Sequence, residues 1–136
     1  MSFRHAFPAA FVAAVALLAG GDAIAQGADG KTLFAKNCAA CHQANGKGIP
    51  GAFPALAGNA FVQGAPAEVA TVLLKGRGGM PDFSGNLDDA AIAQVLSYVR
   101  ASWGNGAAAI SAQDVGTQRT ALGVGAAGSA SFSNKH

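Results

Sequence analysis

The sequence is short of the features from which most small folds are made. In 136 residues it has one tryptophan, one tyrosine, two cysteines, three histidines and two methionines, and only 12% of residues are charged. With no charge runs and a formal net charge of +2, it carries no electrostatic footprint for nucleic acid or an anionic membrane. Cys38 and Cys41 lie three positions apart, so a disulfide between them would close almost no loop and constrain the unfolded chain little. A structural zinc site needs more thiols or imidazoles than this pair can find. No strand pattern precedes the cysteines. A continuous apolar run of about 20 residues, enough to span a bilayer, is also missing.

What is abundant is small. Nineteen glycines and many alanines raise the apolar fraction to 51%, yet such residues bury little area each. A domain of this size is already marginal on hydrophobic burial alone. Something other than side chains must fill its middle.

Residues 1–25 read as a cleaved export signal. Arg4 and His5 precede a mostly apolar stretch from Ala9 to Ala19, and Ala23-Ile24-Ala25 ends in the pattern of a leader-peptidase site. Cleavage after Ala25 removes Arg4 with Asp22 and leaves the net charge unchanged. The expected compartment is the periplasm, with no stable membrane insertion of the mature chain. Residues 26–104 read as the folded domain. The Gly/Ala/Ser-rich residues 105–136 are expected to form a flexible extension, with a short helical turn capped at Ser111 and reaching Arg119.

Within the domain, a first helix is predicted from about Ala28 or Asp29 to Asn37. A second runs between Pro66, suited to a helix start, and Gly76, suited to a stop. Val69, Val72 and Leu73 supply its apolar spacing. A third is predicted from Asp88 to Trp103, with Asp88 as N-cap and Ile92, Val95, Leu96, Val99 and Trp103 on one stripe. Residues 42–64 are rich in Gly, Pro, Asn and Ala. A bare loop of about 20 residues is suspect in a compact domain, unless it wraps a rigid prosthetic group.

Cys38-Ala39-Ala40-Cys41-His42 is C-x-x-C-H, the attachment signature for c-type haem. Each thiol can add to one of two neighbouring haem vinyl groups, and the histidine that follows then lies beneath the iron. A redox-active C-x-x-C is the competing reading, but such motifs open a helix inside an α/β fold. Met80 is the one thioether left once Met1 departs with the leader. It sits in Gly76-Arg77-Gly78-Gly79-Met80-Pro81, a turn with no packing face. A lone methionine is otherwise core filler, and Lys75 could ligate only after losing a proton. His42 and Met80 as axial pair raise the haem potential. With both positions filled, electron transfer is favoured over oxygen or peroxide chemistry, so no catalytic residue is expected.

These residues resemble class I cytochrome c, the small monohaem type, over roughly Ala28 to Gly104. The resemblance rests on Cys38–His42, on Phe53-Pro54-Ala55-Leu56-Ala57-Gly58-Asn59, on Gly79-Met80-Pro81 and on the closing helix with Tyr98 and Trp103. It implies an all-α fold of three to four helices around one covalent haem c. It also implies that the Pro54 carbonyl orients the ligand histidine, that Leu56 packs on the haem face, and that the first and last helices cross where Gly30 and Phe34 meet Val95, Leu96 and Tyr98. Shorter likenesses point to bacterial cytochromes that accompany periplasmic dehydrogenases or oxidases. The implied role is a one-electron carrier with redox partner proteins, or the cytochrome subunit of a larger dehydrogenase or oxidase.

Overall fold

A computed structural model describes residues 22–125 and 127 of the chain, with side chains from Gly30 onward. The predicted leader falls almost wholly outside these residues. Five helices follow in order: α1 (Asp22–Asn37), α2 (Ala39–His42), α3 (Pro66–Lys75), α4 (Asp89–Arg100) and α5 (Ala112–Ala121). The fold is all-α among the described residues. The only β-type pairings there are two isolated bridges, Ile49 with Phe53 and Arg77 with Met80.

Each predicted helix forms, for the reasons its sequence supplies. Pro66 opens α3, and Gly76, at φ +72°, ends it by donating its amide to Val72 O. Asp88 caps α4 by accepting from Ala91 N at 2.8 Å. Ile92, Val95, Leu96 and Val99 on α4 are buried. The helix ends at Arg100 rather than Trp103. Beyond it Trp103 takes φ +54°, which turns the indole back onto Phe34, 5.0 Å between ring centroids, and onto Tyr98 at 5.6 Å. Gly46, also at positive φ, lies directly beneath the indole, where a Cβ would collide with the ring.

α1 crosses α4 at Gly30. A Cβ on Gly30 would run into the Gln94 carbonyl oxygen and come within 2.8 Å of Tyr98 Cβ, so the helices meet backbone to backbone, as the resemblance implied. Gly30→Ala gains helix propensity of about 1 kcal/mol, but the obstacle is backbone and cannot swing aside. The overpacking, about 1–3 kcal/mol, therefore wins. We expect a thermal midpoint lowered by roughly 5–10 °C, read by circular dichroism. An unchanged or raised midpoint would mean that the crossing is looser than the geometry indicates.

Residues 105–125 pack onto the domain instead of leaving it, which differs from the expected flexible extension. Ser111 and Asp114 form a reciprocal capping box at the start of α5. Val115 is fully buried, and Ile110 and Arg119 are nearly so. The composition misled because α5 docks through one valine and one arginine, and its other positions are small or polar. Residues 126 and 128–136 of that predicted extension lie outside the described residues.

Candidate haem-attachment site

α1 delivers the cysteines. Cys38 N donates to Phe34 O at 2.9 Å, the last helical bond, and His42 N and Cys41 N both return to Cys38 O, at 2.9 and 3.2 Å. This tight turn is α2, and it places Cys38, Cys41 and His42 on consecutive steps of one coil. Both thiols are free and partly buried. Burial, helped by Cys41, pushes the Cys38 thiol up to about 11. A catalytic C-x-x-C needs the opposite, a stabilised thiolate. A neutral sulfur in apolar surroundings suits a thioether instead.

His42 is only 7% exposed, and its Nδ1 lies 2.9 Å from Pro54 O. A carbonyl can only accept, so Nδ1 carries the proton. The tautomer is thereby fixed, and Nε2 keeps the lone pair a metal requires. The partner chosen by resemblance is the partner found.

The Pro54 loop has few apolar anchors of its own. No apolar side chain between Phe34 and Val62 is fully buried. Hydrogen bonds hold the loop: Gly48 N reaches His42 O at 2.9 Å, Leu56 N reaches Gly46 O at 2.7 Å, and Ile49 and Phe53 exchange backbone bonds. Two buried residues, Arg100 at the end of α4 and Asn105 beyond it, complete the frame, and neither role is legible in the sequence. Asn105 Nδ2 donates to Leu56 O and Val99 O, while its Oδ1 accepts from Gly58 N. Arg100 Nη1 donates to Val62 O at 2.7 Å and Gly64 O at 2.9 Å, and its Nε donates to Ala108 O. Asn105 was discoverable only as a polar residue beside the Trp103-Gly104 turn. Arg100 had no signal, since a terminal arginine on a helix reads as a solvated end.

Met80 sits on a separate turn. Arg77 and Met80 exchange both backbone bonds at 3.0 Å, so the turn is fixed without the methionine side chain. A Cβ at Gly76 would lie 2.6 Å from Met80 O, which makes glycine necessary there. The Arg77 guanidinium stands 4.9 Å from the Phe61 ring centre, tying this turn to the end of the Pro54 loop. Cys38, Leu56 and Met80 are all partly buried and pack against the same core. Ile49 and Phe53, 41% and 39% exposed, add apolar surface beside His42.

The residues present fit a haem: two free thiols, an imidazole with its outer nitrogen satisfied, a thioether on a separate turn, and apolar flanks. A small helical domain with this set is a c-type cytochrome domain. Comparison with known proteins agrees. The family described as cytochrome c oxidase, cbb3-type, subunit III matches residues 25–99, more than half of the chain. Cytochrome c-552 of Thermus thermophilus is 41% identical over 104 residues, covering 65% of this chain and 69% of that protein. The cytochrome c subunit of a quinone alcohol dehydrogenase from Gluconobacter oxydans is 35% identical over 108 residues, covering 70% of this chain but only 23% of the subunit. A cbb3-type cytochrome c oxidase subunit CcoP of Azospirillum brasilense is 40% identical over 77 residues, covering 52% of this chain and 26% of that subunit.

The chain therefore belongs to this cytochrome c family. It is an electron-transfer protein that carries covalently bound haem c.

Proposed function

We propose that the protein is a periplasmic one-electron carrier whose single haem c is held by thioethers at Cys38 and Cys41 and ligated by His42 and Met80. The observation that carries this reading is the Nδ1 bond of His42 to Pro54 O, 2.9 Å long, which leaves Nε2 aimed to serve as ligand beside the cysteine pair. When bound, the haem supplies a reversible Fe(II)/Fe(III) couple. The chain's own part is to hold the ligand set still: Asn105 and Arg100 brace the Pro54 loop, Leu56 would pack on the haem face, and the Arg77–Met80 turn would hold the thioether. Little need move when the charge changes.

With haem bound, electrons would pass through whatever edge of it the chain leaves exposed. Ala40, Ile49, Phe53 and Pro81 are exposed close in sequence to the proposed attachment and ligand residues and would border that edge, with Lys47, Lys75 and Arg77 also exposed. A small apolar patch with a few cations suits brief encounters with redox partner proteins, a dehydrogenase or a terminal oxidase. Among the described residues no helix is long and apolar enough to cross a membrane. A second reading, a fixed cytochrome subunit of a dehydrogenase or oxidase, is favoured by the Gluconobacter and Azospirillum relatives, whose names place them in such enzymes.

The test is an absorption spectrum and pyridine haemochrome of the protein released from the periplasm, with its intact mass. We expect one haem per chain with both vinyl groups saturated. The ferric form should show a sulfur-to-iron charge-transfer band. Elution in a stable complex with a dehydrogenase or oxidase would favour the second reading. A polypeptide mass without porphyrin would overturn both.

A further inference from the structure

Arg119 lies on α5, far along the chain from the candidate ligands, yet it is only 6% exposed. Its Nε donates to Asp89 Oδ1 at 2.7 Å, Nη2 to Leu87 O at 3.0 Å, and Nη1 to Ser84 O at 3.0 Å and Gly125 O at 2.6 Å. Two of those acceptors, Ser84 O and Leu87 O, belong to the segment that joins Met80 to α4. Its other anchors are the buried Leu87 side chain, the partly buried Phe83 against the same core, and a few backbone bonds. Phe83 N reaches Leu73 O at 2.7 Å, and Asn86 N and Leu87 N turn back to Phe83 O. Pro81, Asp82, Gly85 and Asn86 are exposed.

The arginine is itself held in place. Val115, one turn before it, is fully buried. A Cβ on Gly116 would come within 2.9 Å of Asp89 Oδ2, so α5 passes directly against that carboxylate. Gln118 Nε2 donates to Thr71 Oγ1 on α3 at 2.8 Å. A buried guanidinium is tolerated only when its donors are satisfied, and its planar fork then fixes several acceptors at once.

We propose that Arg119 is a positioning residue that clamps the 81–87 segment and so sets how readily the Met80 thioether leaves the iron. The proposal rests on the reading of Met80 as a ligand. Without the fork, Ser84 O and Leu87 O lose their donor and Asp89 its counter-ion. The segment then gains freedom to swing, and the equilibrium moves towards iron without its thioether. An added nitrogen ligand binds that open form, so its apparent affinity scales with the open fraction.

Imidazole titration of the ferric holoprotein reads this fraction directly. Arg119→Ala should bind imidazole at least about tenfold more tightly than the native protein, and Arg119→Lys should fall between them. The Asn86 and Leu87 amides should exchange with deuterium faster in Arg119→Ala. Val115→Ala loosens α5 without removing the fork. It should lower the thermal midpoint yet keep imidazole affinity within about twofold of native. Equal tightening in Val115→Ala would reduce Arg119 to general stability and overturn the proposal. So would native affinity in Arg119→Ala, or in Arg119→Lys should the alanine variant not fold. A native protein lacking the sulfur–iron band would sink the Met80 reading and the ligand half of the proposal with it. Unchanged amide exchange with the band intact would sink the clamp alone.

Discussion

Cys38→Ala/Cys41→Ala protein, prepared without haem, should show little helix and no cooperative unfolding transition. The reason is where the apolar contacts lie. Phe34, Leu74, Ile92, Val95 and Val115, the largest fully buried side chains, all sit on helices. The stretch from Ala35 to Phe61 adds no fully buried apolar side chain to the core, and beyond the partial packing of Cys38, Ala39 and Leu56 hydrogen bonds must pin it. Each such bond contributes only about 0.5–1.5 kcal/mol net, against roughly 1–2 kcal/mol for each residue whose backbone is fixed. More than twenty residues cannot be ordered on those terms. On the proposed reading a bound haem would change the balance, giving Leu56, Phe53, Ile49 and Met80 a broad apolar partner at once.

Far-ultraviolet circular dichroism during a thermal scan checks this, with an absorbance control for non-covalently retained haem. We expect a weak, broad signal change where the holoprotein shows a sharp one. A sharp transition near the holoprotein's midpoint would mean that the helices, through Phe34, Tyr98 and Trp103, are a sufficient core by themselves. The substituted thiols cannot account for a loss of that size. Both are only partly buried, and a Cys→Ala change on its own removes a single sulfur from each site.

How much of this could be read beforehand depended on the kind of signal. The haem motif is five consecutive residues, C-x-x-C-H, whose competing readings fail for lack of strands and further ligands, so Cys38, Cys41 and His42 were plain candidates. The helix ends at Pro66, Gly76 and Asp88 follow from backbone rules that act within a few residues, and they emerged as expected. Pro54 was visible only through family resemblance, because the bond to His42 spans twelve positions and nothing local encodes it. The partners of Arg100, Asn105 and Arg119 were invisible for a related reason. Each side chain satisfies backbone carbonyls thirty or more positions away, and a carbonyl has no sequence identity. The end of α4 was misplaced by three residues because Trp103 continues the apolar stripe in spacing. Its actual partners, Phe34 and Gly46, require the chain to turn first.

Met80→Leu should abolish the sulfur-to-iron band and lower the reduction potential by on the order of 0.1–0.3 V, a fraction of the roughly 0.8 V that axial ligation spans. Leucine separates the two roles open to this side chain. If Met80 is packing material against the core, a volume-conserving swap costs less than about 1.5 kcal/mol and leaves spectrum and potential alone. If it is the ligand, the same swap keeps the shape and removes the only atom that matters. The turn survives either way, because Arg77 and Met80 are joined through their backbones at 3.0 Å and Gly76 sets the entry angle. The direction of the potential shift follows from the sulfur itself: a thioether is a neutral, soft ligand that favours ferrous iron, and losing it stabilises the ferric form. Lys75, exposed at the end of α3, is the alternative donor within reach along the chain, and Lys75→Ala should leave both band and potential in place. A Met80→Leu protein with native spectrum and potential would show that the iron takes its sixth ligand from elsewhere.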